Sequence, residues 1–155
     1  MDLSQLNPSI SPSSSVLKPG DVLEIRVSVQ NTAAHGITLL KWNSLLDPNA
    51  GNLGLFAAKD TVNGEVIETP AIKIARKTPP SDDDFVEIAA GARLEATVKL
   101  PTLRLKGNTK YSVQAAGKWM AVWEGAKTSN SARLQKLEAS TQGEFVTNEV
   151  FIECR

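Results

Sequence analysis

One cysteine and one histidine are all that this sequence of 155 residues offers to thiolate or imidazole chemistry. Cys154 alone makes no intrachain disulfide and no thiolate metal site; it reads as a small residue at the end of the last strand. His35 lies in a turn beside Gly36. A zinc site of the usual kind takes three or four His, Cys or carboxylate ligands. A nucleophile–base pair on His35 needs a hydroxyl residue and an orienting acid brought to it by the fold, and no local pattern supplies them. Neither a Gly-X-Gly-X-X-Gly fingerprint nor a Gly-Lys-Ser/Thr phosphate loop occurs. No sign of charge is in excess, with 17 Lys and Arg against 17 Asp and Glu. Binding to a phosphate backbone needs a basic face. The short clusters at Arg76 and Lys77 and at Arg104 and Lys106 are offset by Asp82, Asp83, Asp84 and Glu87, which argues against nucleic acid. Apolar runs fall far short of the ~20 residues that cross a bilayer, and no Asn-X-Ser/Thr acceptor occurs. These absences lead to the expectation of a protein without catalytic residues, metal or cofactor, and with neither membrane nor nucleic acid as a partner. The start, Met1-Asp2-Leu3-Ser4-Gln5-Leu6, has neither the basic nor the apolar region of a secretory signal. A cytoplasmic location is expected from it, or a secreted one if a signal has been removed.

What is present is ordinary globular composition, 41% hydrophobic and 22% charged. A chain of this length is one domain by the prior of roughly 100–200 residues per domain, and it can build a core without covalent staples. Residues 1–20 are rich in Ser and Pro and end in the turn pair Pro19-Gly20; they are expected to form a flexible arm. Residues 21–155 are expected to form the single domain. There, alternation begins at once: Leu23, Ile25, Val27 and Val29 are apolar and the residues between them polar. Period two marks a half-buried strand.

Similar runs recur at 37–42, 53–58, 65–75, 85–88, 92–100, 109–117, 118–123 and 143–153, separated by turn formers. Asn63-Gly64 is the strongest hairpin signal, because both turn positions of that type accept positive φ. Pro70 suits an edge or a bulge. Seven to nine short strands with frequent turns predict an all-β, immunoglobulin-like antiparallel sandwich. Residues 131–139, with Leu134 and Leu137 three apart, read as either a short helix or a loop.

The three tryptophans admit two uses, a stacking surface or the filling between sheets. Trp119 and Trp123 are an even number of residues apart, so a regular strand points both to one face. Core is the expectation for them, with Trp42 the most exposed. The run Asp82-Asp83-Asp84 has oxygen ligands for a hard cation but no calcium-loop spacing; behind Pro79-Pro80 it reads as a solvated loop tip.

One stretch carries a resemblance. Val29-Gln30-Asn31-Thr32, followed by Ile37-Thr38-Leu39-Leu40-Lys41-Trp42-Asn43-Ser44-Leu45-Leu46-Asp47, resembles the propeptide of fungal deuterolysins, the aspzincin metalloproteases. The likeness extends over roughly residues 22–117 through Phe56, Asn63-Gly64, the 72–77 segment, Asp84-Phe85 and Ile88-Ala89-Ala90-Gly91. The His-Glu-X-X-His helix of the proteases does not occur here. The resemblance therefore implies a free-standing relative of the propeptide, a non-catalytic module that binds and silences or chaperones a metalloprotease. Two loops, 43–52 and 77–84, are the expected contact surfaces, with Trp42, Asn43, Leu45, Leu46, Asp47, Pro79, Pro80, Asp82, Asp83 and Asp84 as partner-binding residues. Rigidly mounted loops make good binding surfaces. The alternative is an adhesion-type sandwich that associates with itself, as a homo-oligomer, through Trp42 and Leu45-Leu46.

Overall fold

In a computed structural model describing residues 1–155 apart from Gln135, the chain forms eleven strands: β1 (Leu6–Pro12), β2 (Val16–Leu17), β3 (Leu23–Asn31), β4 (Ile37–Leu40), β5 (Phe56–Asp60), β6 (Val66–Glu68), β7 (Phe85–Ile88), β8 (Arg93–Leu100), β9 (Thr109–Glu124), β10 (Thr141–Val146) and β11 (Val150–Cys154). A three-stranded sheet has the order β1-β3-β8. The second sheet runs β2-β11-β9-β4-β7, with β10 also on β9 and β5 bridging β9 to β6. The all-β sandwich expected from the alternation is the fold observed.

The strands alternate as their side chains require. In β3, Leu23, Ile25, Val27 and Val29 are all buried, and they face Val113, Tyr111, Ile152 and Phe56 across the sandwich in one continuous core. Burial of this kind contributes on the order of 25 cal/mol per Å² of apolar surface and dominates the stability of such a fold.

The structure departs from the sequence expectation in several places. The Ser/Pro-rich arm is not loose between residues 6 and 12, which pair in register with Asn31 to Ile25 of β3 and bury Leu6 and Ile10. Pro8 and Pro12 fit there because an edge strand has an outward side on which no N–H is needed. Residues 109–124 form one strand rather than two: Gly117 marks no turn but a close approach, since a Cβ there would lie 2.8 Å from Phe145.

The third departure is a bulge. Thr141 pairs with Val122 and Gly143 with Trp119, so β9 carries one extra residue around Met120 and Ala121, which reverses the faces that follow. Trp119 stays in the core between the sheets, 4.7 Å from the Phe145 ring centroid. Trp123 turns to the other side and builds a second, smaller core with Leu40, Phe85, Ala121 and Leu134. Both tryptophans are buried, but on opposite faces.

That second core lies beneath residues 126–139. Among the described residues, the helical part of this segment is a 3₁₀ turn, Thr128–Asn130, that runs into a single α-helical turn, α1 (Ser131–Leu134). Leu137 and Ala139 take positive φ, which stops a helix, and Gln135 lies outside the described residues. At the 60–65 hairpin only Gly64 has positive φ, at 74°, so the turn is not the two-residue type that Asn63-Gly64 suggested.

Candidate functional site

Both candidate loops leave the second sheet next to each other. Residues 41–53 follow β4, and residues 69–84 lead into β7, which pairs with β4 in register Leu40 to Phe85. The backbone continues the pairing one step further, Lys41 N–H donating to the Asp84 carbonyl at 2.8 Å. Two loops far apart in sequence are thereby set side by side.

Asp47 organises the first loop from within. Its side chain is 0% exposed and accepts from the N–H of Asn43 at 2.8 Å and of Asn49 at 2.9 Å. Ser44 supports the same turn, its hydroxyl donating to the Lys41 carbonyl and accepting from the Leu46 N–H. Asn43 takes a φ of 62°, a left-handed conformation that Asn tolerates better than most residues. Arg76, from the second loop, reaches the Asp47 carboxylate at 2.6 Å and the Asn43 carbonyl oxygen of the side chain at 3.3 Å. Its guanidinium carbon stands 5.4 Å from the Trp42 ring centroid, within cation–π range. One arginine therefore ties the loops together.

Asp84 reinforces the tie. Burial pushes its carboxyl pKa upward, but the hydrogen bonds from the Ser81 N–H, the Trp42 side chain and the Ser81 hydroxyl, with attraction from Lys41, outweigh it and hold the group below the usual 3.8. Around the corner, Pro80, Asp82 and Phe85 form one wall of a cleft of about 220 Å³, with Lys127, Thr128, Ser131 and Leu134 as the other. Lys127 Nζ bridges the mouth to Asp82 at 3.2 Å.

The expected partner-binding residues divide into two groups. Leu45 and Asp47 are buried, and so is Pro80; their side chains serve the scaffold of the loops rather than their exposed face. This removes the apolar Leu45-Leu46 surface on which self-association was expected to rest, since only Leu46 reaches solvent. Trp42, Asn43 and Leu46 are half-buried, Pro79, Asp82 and Asp83 are exposed, and Asp84 is half-buried and engaged with Ser81. Asp82 is 85% exposed despite its ion pair, and Asp83 makes no hydrogen bond or ion pair among the described residues. Arg76 was missed as a site residue, because with Lys77 it read only as a short basic cluster offset by Asp82, Asp83, Asp84 and Glu87.

Among the described residues, no three His, Cys, Asp or Glu side chains converge on a metal-sized site. His35 is exposed, with Nδ1 3.0 Å from the Gly36 carbonyl and Nε2 3.7 Å from Glu124. Cys154, the last residue of β11, is buried where that strand pairs with Leu17 of β2, and burial together with nearby Asp21 raises its thiol pKa. No described helix is long and apolar enough to cross a membrane.

The architecture and this loop-bearing end define an immunoglobulin-like domain. A family model of the immunoglobulin-like domain matches residues 10–154, and the chain belongs to that family. It is 37% identical over 150 residues to an uncharacterized secreted protein of Arthroderma benhamiae, a match covering 94% of this chain and 76% of that protein. Among solved structures, the structural genomics target SoR45 is similar at 10% identity and a TM-score of 0.48, over 98% of this chain and 89% of that one. The ASH/PapD-like domain of human CEP192 is similar at 10% identity and a TM-score of 0.35, over 97% and 89% respectively.

Proposed function

We propose that this chain is a secreted, non-catalytic recognition module that binds a protein partner through the ridge formed by its two tied loops. The observation that carries the reading is the Arg76 clasp. It joins Asp47 and Asn43 of one loop to the other and orders Trp42 alongside, so the ridge is rigid before any partner arrives. Pre-organisation of this kind lowers the entropy cost of binding. Secretion is supported by the description of the Arthroderma relative.

The finer reading is that the partner is a metalloprotease, held in the manner of a propeptide. It rests on the resemblance of residues 37–47 to deuterolysin propeptides. Much of that stretch serves the scaffold: Leu45 and Asp47 are buried, and Ser44 bonds within the turn. The residues left to meet a protease include Trp42, Asn43, Leu46, Pro79, Asp82 and the unengaged Asp83, of which the Asp83 carboxylate suits a catalytic zinc.

The test is a titration of the protein into deuterolysin-type and thermolysin-type metalloproteases while following peptide cleavage. Activity is expected to fall to a one-to-one endpoint with the deuterolysin type, and Asp83→Ala or Trp42→Ala to weaken inhibition about tenfold or more, some 1.4 kcal/mol. Full activity at large excess, with the module itself uncleaved, overturns the protease reading.

A further inference from the structure

The two edges of the three-stranded sheet are treated very differently. The Asn31 N–H donates to the Ala92 carbonyl at 2.9 Å, so the antiparallel register β3–β8 places its hydrogen-bonded pairs at residues 94, 96, 98 and 100. Arg93, Glu95, Thr97 and Lys99 then direct their backbone N–H and C=O groups outward. On β1, the Ser13 N–H bond to the Glu24 carbonyl fixes the outward positions as 6, 8, 10 and 12.

The β1 edge is closed at every donor. Pro8 and Pro12 have no N–H. The Leu6 N–H donates to Leu3. Asn148 takes both groups of Ile10, accepting from its N–H at 2.8 Å and donating to its carbonyl at 3.0 Å. Proteins block exposed edges in these ways because an open edge templates strand pairing.

The β8 edge has no such protection over residues 93–97. It contains neither Pro nor Gly, and its outward N–H groups have no partner among the described residues. Beside it runs a groove of about 440 Å³, its far wall formed by Leu46, Pro48 and Gly51 and its near wall by Ala96, Thr97 and Val98. The groove ends where Gly51 packs on the Lys99 carbonyl, closely enough to leave no room for a Cβ.

We propose that the β8 edge is a second binding site, which takes an extended strand from a protein partner by antiparallel addition. Backbone groups at residues 93, 95 and 97 supply the hydrogen bonds, as in other strand-addition complexes. The side chains state the chemistry of the strand. On the outer face Arg93 calls for an acidic residue opposite and Glu95 for a basic one, because opposed unlike charges stabilise a strand pair. The residues between them point along the groove wall and are small and apolar.

A second copy of this chain is matched in one register alone, about Leu94, where Arg93 of each copy meets Glu95 of the other. Pairing two β8 edges about Glu95 sets Glu95 against itself, and pairing about Ala96 sets Arg93 against Lys99. The register about Thr97 matches Glu95 with Lys99, but it needs the edge at Lys99, which Gly51 covers.

The probe is a fluorescent, end-capped seven-residue peptide of alternating apolar and polar residues, with basic and acidic residues placed opposite Glu95 and Arg93. A peptide of the same composition with the charges exchanged is the control. Saturable binding is expected, with slowed amide exchange at Glu95 and Thr97. The charge-exchanged peptide is expected to bind at least about tenfold more weakly.

Thr97→Pro removes an outward N–H and leaves the bonds to β3 intact, so the variant should fold, melt within a few degrees of the parent and lose the probe. Binding that survives in Thr97→Pro, protection at other strands, or no saturable binding at all overturns the proposal. Self-association without peptide that Thr97→Pro abolishes overturns the proposal of a separate partner. The protease titration is indifferent to Thr97→Pro, so failure here and failure of the ridge reading are told apart.

Discussion

Asp47 is fully shielded and Arg76 only 19% exposed, so their ion pair stands in a setting where removing one partner is far costlier than the pair's net contribution. Arg76→Ala leaves Asp47 with two backbone donors and no counter-charge. The expected loss is on the order of 3 kcal/mol, read as a lower denaturant midpoint at unchanged slope. Arg76→Lys restores the charge but not the guanidinium contact with the Trp42 ring or the second contact to Asn43, and should recover only part of the loss. If Arg76→Ala unfolds at the same midpoint as the parent, the clasp holds nothing. The roles of Asp47 and Arg76 were not legible as such in the sequence. Asp47 looked like an exposed turn former because Asp-Pro-Asn reads as a loop, and burial of its carboxylate depends on a residue 29 positions away. Asn31 was similarly opaque: its side chain donates to the carbonyls of His35 and Ile88 and accepts from the Ala33 N–H, joining β3 to β7 where the sequence showed only a turn.

Strands were legible where one face is core and the other water. β3 reads directly because all four apolar positions fall on one side, and β8 reads nearly as well. β1 was hidden because its buried residues, Leu6 and Ile10, are only two, four apart, and stand among Pro and Ser that ordinarily signal a loop. The rest of its stability comes from backbone bonds that no side-chain pattern records. Asn148 is the clearest of these, since it behaves as a one-residue substitute for a neighbouring strand. Asn148→Ala exposes both groups of Ile10 in a half-buried place, where an unmet polar group costs roughly 1–3 kcal/mol. A drop in melting temperature is expected, with concentration-dependent association through the newly opened edge. Pro8→Ala in the same background should worsen the association, because it adds an outward donor. Association absent from both variants would show that β1 is shielded by something other than these blocks. The β9 strand taught a different lesson: a bulge leaves no periodic trace, so the even spacing of Trp119 and Trp123 predicted a shared face that one extra residue reverses.

At the scale of the whole molecule, that reversal divides the protein into a sandwich and an attached cap. The cap, residues 126–139, is held by the small core of Leu40, Phe85, Ala121, Trp123 and Leu134, by the Trp123 indole donating to the Glu138 carbonyl at 2.8 Å, and by Asn130 donating to Glu124 and Ala126. None of these groups belongs to the core between the sheets. A cluster this small sits at the low-stability end of the structure and opens locally before the whole unfolds. Trp123→Leu removes the indole bond and leaves a void under the cap. Under native conditions trypsin is expected to cut the variant at Arg133 or Lys136 much faster than the parent, while the sandwich still melts cooperatively and only a few degrees lower. Loss of the whole fold instead would mean that the cap and the sandwich are one cooperative unit. The consequence for recognition follows from Lys127, which ties the cap to Asp82 on the ridge. Loosening the cap should weaken binding at the ridge and leave the β8 groove unaffected, because no residue of that groove comes from the cap. One variant thus separates two surfaces that both rely on the loop after β4, which the ridge uses through Asn43 and Asp47 and the groove through Leu46, Pro48 and Gly51.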